Sequence, residues 1–107
     1  MIKIKISDDF SDAPGARYRK NGDKSGEEFY QDLLEPKYLS AVSEKSKLHV
    51  DLDDTWGYAT SFISESFGKL AENYGKDSVL FHLTLISEED PLLSEYIVKI
   101  INDPTAK

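Results

Sequence analysis

The segment that decides the fold runs from Lys47 to Leu70 and reads KLHVDLDDTWGYATSFISESFGKL. From Leu48 onward its first part alternates apolar and polar residues, which predicts a half-buried strand. An acidic loop containing one glycine follows, and a helix is expected to begin at Thr60 and Ser61. Because open α/β sheets bind ligands at the carboxyl ends of their strands, this loop and helix start form the candidate site.

The helix after the loop has the clearest periodicity in the chain. Its apolar side chains form one broad stripe, made of Phe62, Ile63, Phe67, Leu70, Ala71 and Tyr74. Gly75 is expected to end the helix, since glycine readily adopts the left-handed conformation found there.

The sequence before this segment also alternates strands and helices. Residues 1–7 alternate isoleucine with polar residues and predict a first strand, while residues 16–19 form either a short second strand or an ordered loop. Ser25 and Glu28 have the spacing of a capping box. The helix that they open is expected to end or restart at Pro36, because proline lacks a backbone amide proton.

The last part of the chain predicts one more strand and one more helix. The run SVLFHLTLI (78–86) is almost continuously apolar, as in a strand covered on both faces. A final helix is expected to begin between residues 87 and 91. The predicted fold is therefore α/β, with one domain over 1–107, a frayed tail at 101–107, and a mixed four- or five-stranded sheet with helices packed mainly on one face.

The composition argues against several classes of function. The formal net charge of −7 disfavours sequence-independent binding to nucleic acid and binding to anionic lipid. Both kinds of binding need clustered Lys and Arg. No apolar run approaches the roughly 20 residues that span a bilayer, and the first ten residues have no apolar signal core. The absence of cysteine removes disulfides and thiolate chemistry. We expect a cytoplasmic protein without a metal or a cofactor.

Asp51 and Asp53 make the strongest case for an enzyme. An Asp-x-Asp at a strand end is the nucleophile motif of haloacid-dehalogenase-type phosphatases, which also use Mg²⁺. That motif normally lies on the first strand and needs a later acidic pair, whereas the strand predicted after Asp53 ends without one. The other interpretation is that both carboxylates accept hydrogen bonds from loop amides. His49 and His82 are expected to be packed strand residues rather than metal ligands.

Thr60 and Ser61 have two interpretations. Hydroxyls at a helix start commonly cap backbone amides. Alternatively, one of them is phosphorylated, and the phosphate could switch a docking surface off by repulsion from Asp51, Asp53, Asp54 and Glu65. The basic cluster RYRK (17–20) is either a solvated loop or a contact for a phosphate or an acidic partner, and Glu65 is either solvated or paired with Arg17 or Arg19.

Four segments, taken in order, resemble the STAS-like domain family of unknown function. They are RYRK (17–20), SGEEF (25–29), VDLDD (50–54) and SFISESFGKL (61–70). This family is similar in turn to STAS domains, whose helix start carries a phosphorylatable serine in an Asp-Ser-Ser-Gly-Leu setting. The corresponding stretch here, 59–63, lacks that aspartate and that glycine. The resemblance implies a protein partner, since STAS proteins bind GHKL-type ATPase kinases.

We therefore expect a non-enzymatic regulatory module that docks another protein through the loop and helix start at 54–65. The residues expected to contact the partner are Asp53, Asp54, Tyr58, Thr60, Ser61 and Glu65, supported by Arg17, Arg19 and Asp51. The alternatives are Mg²⁺-dependent phosphatase-like or nucleotide chemistry at Asp51 and Asp53, or a sensor for a small ligand. The protein is expected to be a monomer or a weak homodimer.

Overall fold

A computed structural model describes residues 2–104 of the chain, and its strands and helices confirm the predicted α/β class. The strands are β1 (Ile2–Lys5), β2 (Leu48–Asp51) and β3 (Leu83–Ile86). The α-helices are α1 (Ile6–Asp9), α2 (Gly26–Phe29), α3 (Glu35–Ser43), α4 (Thr60–Ile63), α5 (Lys69–Tyr74), α6 (Lys76–His82) and α7 (Pro91–Asn102).

The sheet has three parallel strands in the order β1-β2-β3. Ile2 pairs with Leu48, and Leu48 pairs with Leu83. Parallel neighbours need crossover connections, which the intervening helices supply. The prediction of a mixed sheet with four or five strands is therefore wrong for the described residues, because the sheet is smaller and all its strands run in one direction.

The two faces of the sheet differ in burial. Ile4 and Val50 are completely buried on one face. Lys3 is exposed and His49 is partly exposed on the other, as expected for side chains that alternate along a strand. His49 therefore lies in a strand, as predicted.

Residues 16–19 form an ordered loop and not a strand. The amides of Gly26 and Glu27 donate to the carbonyls of Ala16 and Arg17, at 2.8 and 3.0 Å. These bonds tie the loop to the start of α2, and a 3-10 turn (Arg19–Asn21) begins at the last residue of the loop. Of the two alternatives for this stretch, the structure has the loop.

The apolar run 78–86 is divided between a helix and a strand, so its prediction as one strand is wrong. Its first five residues complete α6, and β3 begins only at Leu83. Val79 is buried but Phe81 is 66% exposed, so the run is not covered on all sides. A short apolar run has no periodicity that separates a strand from a helix, which explains the error. His82 consequently ends a helix, and its Nδ1 lies 2.8 Å from the carbonyl oxygen of Ser78.

The first long helical segment runs without a break from α2 to α3. Ser25 caps it as predicted, accepting a hydrogen bond from the amide of Glu28 at 3.0 Å, but the Glu28 carboxylate bonds to the amide of Lys24 at 3.3 Å. Pro36 does not end the helix. A π-helical turn (Tyr30–Leu34) precedes it, and we attribute the continuation to this wider turn, which gives room where proline removes a hydrogen bond.

The second long helical segment runs from α4 to α5 and begins at Thr60, as predicted. It also contains a π-helical turn (Ser64–Gly68). Gly75, with φ of 89°, follows its last residue, so the predicted helix end is confirmed.

The core forms where the two long helical segments meet. A Cβ on Gly26 would lie 2.7 Å from the carbonyl oxygen of Phe62, so the two backbones touch. Their closeness lets the Phe29 ring stack on the Phe62 ring at 5.6 Å and contact the Phe67 ring at 6.1 Å. All three rings are completely buried.

The last helix, α7, begins at Pro91 within the predicted range. It continues to Asn102, and Ile101 is completely buried, so the folded helix extends into the segment expected to fray. Residues 105–107 of that expected tail lie outside the described residues. Among residues 2–104, no helix combines the length and the apolarity needed to cross a bilayer.

Gly26→Ala should destabilise the protein, because the added methyl group meets backbone atoms of Phe62 that cannot move independently. We expect a loss of about 1–3 kcal/mol in the free energy of unfolding, measured by urea denaturation. Gly68→Ala is the matched control: its Cβ meets a side-chain methyl of Ile100 at 3.2 Å, a contact that is relieved by a shift of a few tenths of an ångström. Equal losses in the two variants would contradict this account of the helix contact.

Candidate functional site

The loop after β2 is acidic and has a fixed backbone. Asp54 has φ of 68° and Gly57 has φ of 124°, so both lie in the region that favours glycine and tolerates aspartate. The amide of Trp56 donates to the carbonyl of Asp12 at 2.8 Å, and the amide of Gly57 donates to the Thr55 hydroxyl at 3.3 Å. The loop is thus held by several hydrogen bonds.

Asp51 and Asp53 both accept hydrogen bonds from backbone amides. Asp51 Oδ1 accepts from the amide of Asp53 at 3.0 Å. The two oxygens of Asp53 accept from the amides of Glu88 and Glu89, at 3.1 and 3.0 Å. Asp53 therefore joins the loop after β2 to the loop after β3, which agrees with the loop-amide interpretation.

Asp54 forms an ion pair with the first strand. Its Oδ2 lies 2.7 Å from Nζ of Lys5, and its amide donates to Glu89 Oε1 at 2.8 Å. The hydrogen bond from Lys5 lowers the pKa of Asp54, and the same bond raises the pKa of Lys5. Both side chains reach solvent, so Asp54 is accessible although it is paired.

Tyr58 is partly buried beneath the loop. Its hydroxyl donates to the carbonyl of Leu52 at 2.9 Å, and its ring lies 5.8 Å from the ring of Phe62. Burial raises the pKa of Tyr58 to about 12. Tyr58 thus connects the loop to the core and leaves part of its ring at the surface.

Thr60 and Ser61 do not cap the helix that they begin. Ala59 is the capping residue, and no side chain makes a capping hydrogen bond there. The amide of Phe62 bonds instead to the carbonyl of Ala59 at 3.1 Å. Thr60 is exposed and Ser61 is partly exposed. Of the two interpretations of these hydroxyls, capping is the one that the structure contradicts.

The two arginines expected to support the site have different positions. Arg17 pairs with Glu65 at 3.8 Å and so contacts the second long helical segment. Arg19 instead binds Gln31 at 3.1 Å and Asp32 at 2.9 Å, on the first π-helical turn. The expectation that Arg19 supports the loop at 54–65 is therefore wrong, since its partners lie on the other helical segment.

Sequence reasoning missed two exposed apolar side chains at the site. Trp56 is 88% exposed at the tip of the loop, and Leu92 is 71% exposed in the first turn of α7. The sequence did contain a signal for Trp56. This tryptophan stands alone among turn-forming residues, so it belongs to no apolar stripe of a helix or strand that would bury it. No local pattern marks Leu92, which lies in a helix with a regular apolar stripe.

Two adjoining grooves lie between the loop and α7. The first has a volume of about 250 Å³ and is lined by residues that include Trp56, Tyr58 and Leu93. The second has a volume of about 310 Å³ and is lined by Tyr58, Thr60, Ile63, Asp90, Leu92, Leu93 and Tyr96. Tyr58, Asp90 and Leu93 border both grooves. The start of α7 therefore forms a wall of the site that the sequence did not indicate.

Within the described part of the chain, no three His, Asp or Glu side chains are grouped as they would be around a metal ion. His49 lies in β2 and His82 at the end of α6.

The model of one protein family, described as STAS-like domain of unknown function (DUF4325), matches residues 25–93. The match begins at the Ser25 cap and ends in the first turn of α7, so it includes the loop and both long helical segments. The chain therefore belongs to the STAS-like domain family. No curated protein and no solved structure matches the chain.

Asp53→Ala should destabilise the protein, because two backbone amides lose a charged acceptor. We expect a loss of about 1.5–3 kcal/mol in the free energy of unfolding, measured in urea. Asp54→Asn is the control: it removes a solvent-exposed ion pair and keeps a residue that tolerates the positive φ, so its loss should be smaller. A larger loss in the control would refute the bridging role of Asp53.

Proposed function

We propose that this protein is a non-enzymatic regulatory module that docks another protein through the loop and helix start at 54–65. The observation that carries the proposal is the accessible corner at Thr60 and Ser61, where two hydroxyls begin a helix without capping it. Side chains with no capping role at an accessible corner are available for contact or modification.

The surroundings of this corner support a docking role. Asp54 and Thr60 are exposed, while Asp53, Tyr58, Ser61 and Glu65 are partly exposed. The loop that carries these residues is fixed by the Asp53 carboxylate and the Asp54 amide, which bond to the loop after β3, and by the Tyr58 hydroxyl, which donates to the carbonyl of Leu52. A fixed surface loses little conformational entropy on binding, which favours recognition of a partner.

The chemistry of Asp51 and Asp53 also supports a non-enzymatic role. A carboxylate nucleophile needs a lone pair directed at the substrate. Both oxygens of Asp53 accept backbone amides, and one oxygen of Asp51 does the same. These amide bonds give both carboxylates a structural role in the loops.

The class of partner follows from the resemblance and not from any contact in the structure. STAS domains bind GHKL-type ATPase kinases, and we propose a partner of this class for the chain. We also propose a cytoplasmic location and a monomer or weak homodimer.

We further propose phosphorylation of Thr60 or Ser61 as the switch. A phosphate adds about −1.5 to −2 charges at neutral pH. Asp53 and Asp54 belong to the same surface, so the added charge would change its potential strongly. Whether the partner is released or held more tightly then depends on the partner's own charge.

Affinity capture from the native host tests the docking surface. Wild-type protein should retain a specific partner, and Thr60→Asp or Ser61→Asp should change the amount retained, because each adds charge at the corner. Ser43→Asp, an exposed position near the end of α3, is the matched control and should behave as wild type. The proposal fails if no partner is retained, or if both corner variants retain it as the control does.

A phosphatase assay separates this proposal from the enzymatic alternative. We expect no turnover of a generic phosphate ester in the presence of Mg²⁺. Turnover that is lost in Asp51→Asn would establish Mg²⁺-dependent chemistry at the strand end and overturn the regulatory proposal.

A further inference from the structure

We infer that the docked partner presents a positively charged segment whose apolar side chains fill the two grooves between Trp56 and the start of α7. This inference rests on the proposed docking function and adds the second wall of the site, its anchor residue and the chemistry of the partner. We call this surface the Trp56 face. Its apolar residues are Trp56, Tyr58, Leu92, Leu93 and Tyr96, and its acids are Asp53, Asp54, Glu88, Glu89 and Asp90.

The exposure of Trp56 is the first observation. Tryptophan is among the largest apolar side chains and is highly buried on average in folded proteins. Trp56 is 88% exposed, although its amide is bonded to the carbonyl of Asp12 and its loop is fixed. A large aromatic side chain held on a rigid backbone without packing partners has the properties of an interface hot spot.

The second observation is the set of apolar side chains between Trp56 and the start of α7. The groove beside Trp56 and the groove beside Leu92 share Tyr58, Asp90 and Leu93 in their walls, so the two grooves adjoin. Leu92, which lines the second groove, is 71% exposed. Apolar side chains of a bound segment that covers both grooves would remove Trp56 and Leu92 from water.

The third observation is the charge around the apolar surface. Asp53, Glu89 and Asp90 line the first groove, and Asp54 and Glu88 lie in the two loops that border it. Among the described residues, Lys5 forms an ion pair with one of these acids, Asp54. An apolar surface with an acidic rim is complementary to a segment that carries Lys or Arg beside apolar residues. A guanidinium could also lie over the exposed indole.

The same charge disfavours other occupants. A nucleic acid or an anionic membrane would bring phosphates against these carboxylates, in a chain whose formal net charge is already −7. A basic protein segment meets no such repulsion. For such a partner, added negative charge at Thr60 or Ser61 strengthens binding, so the proposed switch would act by attraction.

Selection from a random-peptide phage library tests the inference with a defined probe. Peptides that bind wild-type protein should be rich in Lys or Arg and contain apolar residues. Because Trp56 is the single tryptophan of the chain, a tryptophan-free synthetic copy of a selected peptide should shift the protein's fluorescence to shorter wavelength as the indole leaves water. Failure to select any peptide, or selection of peptides without basic residues, overturns the inference.

Variants then locate the bound peptide, with affinity measured by polarisation of a labelled copy. Trp56→Ala and Leu92→Ser should each weaken binding roughly tenfold or more, as expected for hot-spot residues. Phe81→Ala, which truncates a 66% exposed aromatic residue on α6, is the control and should bind as wild type. Unchanged affinity in both groove variants overturns the inference.

Removing acids of the Trp56 face tests the charge of the partner. The double variant Glu88→Gln with Asp90→Asn should weaken binding of the same peptide. Added salt should weaken binding to the wild-type protein more than binding to this variant. Glu44→Gln with Glu72→Gln removes two exposed acids elsewhere and should leave the affinity unchanged. Equal effects of the two double variants, or Trp56-dependent binding to duplex DNA or to phosphatidylserine vesicles, overturn the inference.

Capture of the host partner with the same variants distinguishes this inference from the docking proposal. A host partner that responds to Thr60→Asp or Ser61→Asp but is indifferent to Trp56→Ala and Leu92→Ser would leave the docking function intact and refute the Trp56 face. The absence of any host partner would refute the docking function itself.

Discussion

The contact between the backbones of Gly26 and Phe62 sets the distance between the two long helical segments, and the rest of the structure depends on that distance. Any residue larger than glycine at position 26 would place its Cβ 2.7 Å from the carbonyl oxygen of Phe62. At this spacing the Phe29 ring stacks on the Phe62 ring, and the core closes beneath the loop at 54–59. Tyr58 reaches the same core from the loop through its contact with Phe62. The position of the candidate site is therefore a consequence of how closely two helices pack.

The acids of the candidate site act first as structural groups. Asp53 binds two amides of the loop after β3, and Glu89 of that loop binds the amide of Asp54. These reciprocal bonds hold together two acidic loops that would otherwise repel each other. The same bonds fix the two loops and therefore the positions of the side chains that these loops present. Trp56 is the most exposed of the large apolar side chains, and the acids hold the loop that carries it.

Prediction from the sequence succeeded where the signal lies within a few neighbouring residues. The strand at Leu48, the cap at Ser25, the helix start at Thr60 and the helix end at Gly75 all follow from local patterns, and the structure has each of them. It failed at 78–82, where an apolar run has no period that distinguishes a strand from a helix. It also expected an interruption at Pro36, where the helix continues without a break, because the π-helical turn before this proline has no recognisable sequence signal.

The sequence by itself determined the α/β class, the membership of the STAS-like family, the strong negative charge and the order of most strands and helices. These properties depend on composition and on spacing along the chain. Only the tertiary structure decided which distant groups meet: Asp53 with amides 35 and 36 residues further on, Arg19 with Asp32 instead of Glu65, and Trp56 beside the first turn of α7. The physical reason is that such contacts depend on how helices and strands pack in three dimensions, and the spacing of residues along the chain does not specify that packing.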